Sequence, residues 1–206
     1  MVQLTANSSG AAGDISVREW ICWEGESPIE PTSTLVLTAP SNTFVDTRLL
    51  LPHPFTPTAE LPLPNTGGPL HRLDWAFSGV SETLPPTVMS QTQHAAALHA
   101  HAPPLVPVDY SRLCDFSATG PGGSGGTVSV PRKRWNHLID SKCVAPGQEP
   151  APDEGDMYAV AGRPEACLEI GRMEREKGSG FVLRYQEMWV SVQARVSLSF
   201  LLLSRD

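Results

Sequence analysis

The chain has none of the compact motifs that mark common enzymes or metal sites. Its cysteines stand far apart, without the CxxC pairs of zinc sites: Cys22, Cys114, Cys143 and Cys167. The phosphate-loop pattern GxxxxGK[ST], the hydrolase pattern GxSxG and the metalloprotease pattern HExxH are all missing. We therefore assign no catalytic residue, no cofactor and no metal ligand from the sequence, and the expectation leans against an enzyme.

Positive charge and long apolar runs are also scarce. Fifteen Lys and Arg residues stand against 22 Asp and Glu residues, a net charge of −7 that repels phosphate backbones and argues against a nucleic-acid partner. No apolar run approaches the roughly 18 residues that a membrane span needs. Residues 1–14 lack the apolar core of a secretory signal. Together these absences predict an intracellular protein with reduced thiols.

Proline and glycine, in contrast, are abundant and concentrate in the connections between periodic segments. With 20 prolines and 17 glycines, long helices are not expected. The periodic segments alternate with period two, as strands do. The clearest is residues 73–79, where Leu73, Trp75 and Phe77 share one face. Similar strands are predicted at residues 16–24, 34–38, 43–50, 166–174, 181–189 and 192–203. The chain is therefore predicted to be mostly β.

These patterns divide the chain into four parts. We expect a disordered N-terminus over 1–14, a first β part over 15–81, a flexible insertion over 82–131 and a second β part over 132–206. The insertion contains a glycine-rich connector and a His/Ala tract with His94, His99 and His101, which lacks further rigid metal ligands. Residues 190–206 have two interpretations, a terminal strand or a non-native end such as a translated intron.

Two local charge clusters are interpreted as solvated surface. Residues 132–135 combine three basic side chains with Trp135, and residues 153–156 place three carboxylates around a glycine. The first cluster is too small, in an acidic chain, to indicate a nucleic-acid site, and the second lacks the ligand spacing of a calcium loop.

The positions of the tryptophans have two interpretations. Four predicted strands carry them, so they either fill the interior of a barrel or line a cavity that binds a flat ligand. The candidate cavity-lining residues are Trp20, Trp23, Trp75, Phe77, Tyr185 and Trp189.

Several short segments, taken together and in this order, resemble the fungal HRI-type family. They are REW at 18–20, TSTLVL at 32–37, FVDTR at 44–48, LDWAFSG at 73–79, RWNH at 134–137, LEIGRM at 168–173 and YQEMW at 185–189. The resemblance implies an antiparallel lipocalin-like (calycin-type) β-barrel, interrupted here by the disordered Pro/Gly-rich insertion. It also implies a cytoplasmic or nuclear protein, and it carries no catalytic residues.

Two functions follow as expectations. The first is a non-enzymatic protein-interaction factor whose partner is a casein-kinase-I-type protein kinase, the interaction for which the family is named. The alternative is a carrier or isomerase that holds an apolar small molecule in the barrel cavity.

Overall fold

Nine antiparallel strands make up most of the part of the chain that the computed structural model describes. That part comprises residues 13–51, 70–90, 92–95, 104–115, 127–145, 147, 149–176 and 178–193. The strands are β1 (Asp14–Trp23), β2 (Thr32–Thr38), β3 (Thr43–Leu50), β4 (Leu73–Ser90), β5 (Cys114–Asp115), β6 (Thr127–Asp140), β7 (Asp153–Val160), β8 (Arg163–Glu174) and β9 (Val182–Ser191).

Eight of these strands close into a barrel. The sheet runs β4-β3-β2-β1-β9-β8-β7-β6, and a further pairing between β4 and β6 joins its two ends. The short strand β5 pairs only with the beginning of β6. Closure removes the open edges that a twisted sheet would otherwise expose. The predicted mostly-β, lipocalin-like antiparallel barrel is thus confirmed.

Among the residues that the structure describes, helical structure is limited to short turns. Two 3-10 turns cover Leu70–Arg72 and Tyr110–Arg112, and residues 92–95 form one helical turn. No helix in the described part of the chain is long and apolar enough to cross a membrane.

The main apolar core lies outside the barrel wall. On β8, Leu168 and Ile170 point away from the lumen, because they alternate with the lumen-lining Cys167 and Glu169. A segment spanning residues 104–113, which we call the strap, packs over this outer face through Val106, Val108, Tyr110 and Leu113. The buried cluster beneath it consists of Leu113, Val128, Val130, Tyr158, Val160, Ala166, Leu168, Ile170 and Met188.

Hydrogen bonds hold the strap on the barrel. The backbone amide of Asp109 donates to Ala159 O at 2.8 Å, and that of Ala161 donates to Pro107 O at 2.9 Å. The amide of Leu105 donates to the Gln186 side chain at 3.1 Å. The strap therefore covers the outer face of β7 to β9 around Tyr158, Leu168 and Met188.

Residues 82–131, which we expected to form a flexible insertion, contribute in part to the barrel. β4 continues through Ser90 and β6 begins at Thr127, so both ends of this segment belong to the barrel wall, and the strap lies in its middle. Pro85 and Pro86 lie where the β4–β6 register shifts, between Leu84 and Thr87, and this irregularity accommodates two residues without ladder amides. The glycine-rich connector and residues 1–12 lie outside the described residues.

At the other end, Val190 and Ser191 belong to β9, which pairs with both β8 and β1. The barrel is therefore closed at β9, and the two interpretations of residues 190–206 both stay predictions. Residues 194–206 lie outside the described part of the chain.

Candidate functional site

A network of charged side chains occupies the lumen of the barrel. Arg18 on β1 and Arg48 on β3 both donate to the Glu187 carboxylate on β9, Arg48 at 3.4 Å. Arg48 also donates to Asp46 at 3.0 Å, and Arg18 to Glu30 at 2.8 Å. Arg18, Asp46, Arg48 and Glu187 face inward because each occupies a lumen-facing position of its strand, whereas Glu30 reaches Arg18 from the loop between β1 and β2. The network links three strands through two buried guanidinium groups.

Ion pairs within the network offset the free-energy cost of burying its charged groups. Burial raises the pKa of Asp46 above its ordinary value, and the Arg48 guanidinium opposes that rise. Burial alone would lower the pKa of Arg48, but the carboxylates of Asp46 and Glu187 together raise it. Arg48 therefore stays charged, and removing either Asp46 or Glu187 would leave this buried cation with only one carboxylate to compensate it.

A second group of lumen residues centres on Glu169 of β8. One carboxyl oxygen accepts the Tyr185 hydroxyl at 2.6 Å, and the other accepts the Trp189 indole NH at 2.9 Å. Burial and the charge of Glu187, which is paired directly across from it on β9, raise the pKa of Glu169 to about 8. At neutral pH this carboxyl is therefore mostly protonated.

Two glycines leave the space that Glu169 and Tyr185 occupy. Gly155 on β7 and Gly171 on β8 are direct cross-strand partners. A Cβ atom at Gly171 would lie 2.3 Å from the Tyr185 hydroxyl oxygen, and one at Gly155 would lie 2.6 Å from Cγ of Glu169. Any larger residue at either position would push these side chains out of place.

An aromatic cluster closes the other side of the lumen around His137. The His137 ring stacks on Phe77 with ring centroids 4.2 Å apart. Its Nδ1 lies 3.1 Å from Asp140, which also accepts the Trp75 indole NH at 2.8 Å, and its Nε2 lies 3.2 Å from Asp153. Burial alone would lower the pKa of His137, but the two aspartates raise it.

Between these groups the lumen contains a cavity of about 280 Å³. Its wall combines aromatic rings, methionines and carboxyl groups, so it can contact both an apolar body and a polar group of a ligand. The aromatic and sulfur-bearing lining residues are Phe44, Phe77, Trp135, Met157, Cys167, Met173, Tyr185 and Trp189.

A family model described as Protein HRI1 matches residues 14–199, which is most of the chain. The chain belongs to the HRI1 family. The resemblance drawn from the short sequence segments is thereby confirmed. The residues that match the HRI1 model include every strand of the barrel and the whole of the lumen site.

One solved structure is similar to this HRI1-family chain, that of an uncharacterized protein from Saccharomyces cerevisiae. The identity is 14% and the TM-score is 0.47, over 88% of this chain and 54% of that one. The chain thus spans about half the length of that protein. No curated protein has a matching sequence.

The aromatic residues singled out from the sequence are distributed over three places in the HRI1-family barrel. Phe77, Tyr185 and Trp189 line the lumen cavity. Trp23 and Trp75 line a second pocket at one end of the barrel. Trp20 instead faces outward and packs against the apolar cluster beneath the strap. A register shift between Arg18 and Trp20 reverses the alternation, so that Trp20 points away from the lumen although Arg18 points into it.

The remaining sequence candidates are divided between the two sides of the barrel wall. Trp135 of the basic cluster and Asp153 of the acidic cluster line the lumen cavity, so these two residues are not part of the solvated surface that the sequence predicted. His94 is buried against Tyr110 and Tyr158 on the outer face, and burial lowers its pKa. His99 and His101 lie outside the described residues. Arg132 and Arg134 form ion pairs with Glu154 on the outer surface.

Sequence reasoning missed the charged residues of the lumen. Asp46 and Arg48 alternate with Phe44 on the same face of β3, and Glu187 lies between Tyr185 and Trp189 on β9. A signal was available, because residues two apart in a strand share a face with their aromatic neighbours. These charged residues belong to the same surface as the aromatic residues that were singled out.

Proposed function

We propose that this protein binds a small molecule in the lumen of its barrel and acts as a carrier. The observation that supports this function is the lumen cavity of about 280 Å³. An eight-stranded barrel is just wide enough for its side chains to fill it completely or to leave room for one small ligand. Here the side chains leave that room.

The composition of the wall also favours a ligand. A cavity that served only packing would be lined by aliphatic side chains, because unfilled polar surface is costly. In this lumen the Glu169 carboxyl, the Tyr185 hydroxyl and the Trp189 indole lie at the cavity wall among aromatic rings. Such a mixture supplies apolar contact together with a few oriented polar groups.

The carrier function can be tested with a variant that fills the lumen. Val36 on β2 lines the cavity, whereas Val45 on the neighbouring strand β3 points outward. We expect Val36→Phe to abolish binding of apolar ligands and the matched Val45→Phe to leave it unchanged. Binding is measured by quenching of tryptophan fluorescence, since Trp135 and Trp189 line the cavity, and by native mass spectrometry.

A urea titration of both variants verifies that each remains folded. If apolar ligands bind Val36→Phe as well as they bind the unchanged protein, they do not occupy the lumen, and the proposal fails.

A second candidate function is interaction with a casein-kinase-I-type protein kinase in the cytoplasm or nucleus, as the sequence resemblance implies. An apolar patch on the outer face of β2 and β3 favours a protein partner. Leu37 and Val45 are cross-strand neighbours there, each 47% exposed, with Leu35 beside them.

This second function can be tested with a purified casein-kinase-I-type kinase. We expect the double variant Leu37→Ser and Val45→Ser to lose binding measured by calorimetry. Leu138→Ser, which changes an exposed leucine on β6, serves as the control that retains binding. Absence of binding by the unchanged protein would contradict the proposed partner.

A further inference from the structure

We infer that the ligand of the lumen is an organic cation, a protonated amine on an apolar body, whose ammonium group pairs with the Glu169 carboxylate. This inference rests on the proposed carrier function and adds the chemical class of the ligand.

The charged groups of the described cavity wall offer no binding partner to an anion. The described lining contains six acidic residues and two basic ones, which are Asp14, Asp46, Asp153, Glu165, Glu169 and Glu187 against Arg48 and Lys133. Arg48 is already paired with Asp46 and Glu187. Lys133 is exposed, so it adds little positive charge to the buried end of the cavity. Most of these carboxylates are paired too: Asp46 and Glu187 with Arg48, Asp153 with His137 and Glu165 with Arg163. The buried end of the described wall therefore offers no unpaired cation to an anionic ligand.

Glu169 is a fully buried carboxyl group of this wall with no ion-pair partner among the described residues. Its two oxygens accept only the neutral donors of Tyr185 and Trp189, and no described lysine, arginine or histidine lies within ion-pair distance of it. A buried carboxyl without a cation keeps its proton, because burial disfavours the charged form. An ammonium group in the cavity would supply the missing charge.

The rest of the wall suits the body of such a ligand. Phe44, Phe77, Trp135 and Trp189 line the same cavity as Glu169. Aromatic faces attract cations, and they also provide a large apolar contact area for the attached carbon skeleton. Met157 and Met173 add adaptable apolar surface. A carboxyl group beside several aromatic rings is the arrangement that selects an amine over a neutral molecule.

Calorimetry with three probes of similar shape tests the ligand class. The probes are 2-phenylethylamine, which is cationic, 2-phenylethanol, which is neutral, and 3-phenylpropanoate, which is anionic. We expect the amine to bind at least about tenfold more tightly than the alcohol, and the anion to bind most weakly. Glu169→Gln should reduce the affinity for the amine by about tenfold and leave that for the alcohol within about threefold. Glu154→Gln, which changes an outward-facing carboxylate, is the control that alters neither affinity.

A second measurement does not depend on any variant. Pairing with an ammonium lowers the pKa of Glu169, so binding at pH 7 should release up to one proton per amine, seen as a dependence of the binding heat on the ionisation enthalpy of the buffer. The other groups facing Glu169 are Tyr185 and Glu187 on β9, Asp153 on β7 and Arg48 on β3. Glu169→Gln should remove this proton release if the variant folds.

The outcomes separate the two proposals. Tighter binding of the alcohol or of the anion than of the amine would overturn the cationic ligand class and leave the carrier function standing. Binding of the amine without proton release would overturn the pairing with Glu169. If none of the three probes binds at millimolar concentration, both the ligand class and the carrier function are rejected.

Discussion

The shared carboxylate of Glu187 provides a sharp test of the charged lumen network. Glu187 is 2% exposed and accepts from two guanidinium groups, those of Arg18 and Arg48. Replacing it by Gln keeps the shape of the side chain but removes the negative charge between two buried cations. Breaking a buried ion pair by removing one partner costs about 3–5 kcal/mol. Arg18 and Arg48 each keep one other carboxylate, Glu30 and Asp46, so we expect the lower end of this range.

The chain contains a matched control for this substitution. Glu154 also lies between two guanidinium groups, those of Arg132 and Arg134, but its side chain is 35% exposed. Exposed ion pairs contribute about 0–1 kcal/mol, because water screens them. We therefore expect Glu154→Gln to change stability by less than about 1 kcal/mol. The two variants differ in burial while sharing the same local charge arrangement.

The free energy of unfolding is measured by urea titration with tryptophan fluorescence as the readout. We expect Glu187→Gln to lower it by about 3 kcal/mol, with a fall in Tm of roughly 6–12 °C. If Glu187→Gln and Glu154→Gln have equal effects, the lumen network does not stabilise the barrel, and the reasoning is refuted.

Three further predictions concern the lumen and the strap. Gly171→Ala should lower the free energy of unfolding by about 1–3 kcal/mol and shift the tryptophan emission, because the new Cβ would lie 2.3 Å from the Tyr185 hydroxyl oxygen. Unchanged urea titration and emission curves would contradict this steric conflict. The folded protein holds the Glu169 proton up to about pH 8, whereas the unfolded chain releases it near pH 4.5, so stability should fall as pH rises through this window. Urea titrations at several pH values should show this slope weakened in Glu169→Gln, and equal slopes would contradict the assignment. Leu113→Ala, in the cluster beneath the strap, should lower the free energy of unfolding by about 2–4 kcal/mol and speed the hydrogen exchange of the strap amides. Leu37→Ala, which changes an exposed leucine, should lower it by less than about 1 kcal/mol. Equal losses in the two variants would mean that the strap contributes little to stability.

Much of the barrel could be predicted from the sequence. Period-two alternation is a local property of the chain, so the strands β2, β3, β8 and β9 were recognisable without any partner. The start of β4 at Leu73 and its inward residues Trp75 and Phe77 followed in the same way. The strands at the two ends of segment 82–131 could not be predicted in this way. Pro85 and Pro86 are unfavourable in an ordinary strand, and the register shift between β4 and β6 is what accommodates them.

The candidate site was predictable only in part, because alternation does not show which face of a strand is inside. On β8 the apolar face with Leu168 and Ile170 is the natural core face of an isolated strand. In the barrel that face is outside, beneath the strap, and Glu169 faces the lumen. A sequence cannot show this, since the strap comes from a distant part of the chain and covers the outer face only after folding.

The sequence by itself determined β1 to β3, the start of β4, β8, most of β9 and the family, because these signals reside in short stretches of consecutive residues. Tertiary structure alone decided the site. Arg48 and Glu187 are 139 residues apart in the chain, and Arg18 and Glu187 are 169 apart. These charges meet only because barrel closure brings β1, β3 and β9 around one lumen, and they remain buried there because each compensates the other's loss of water.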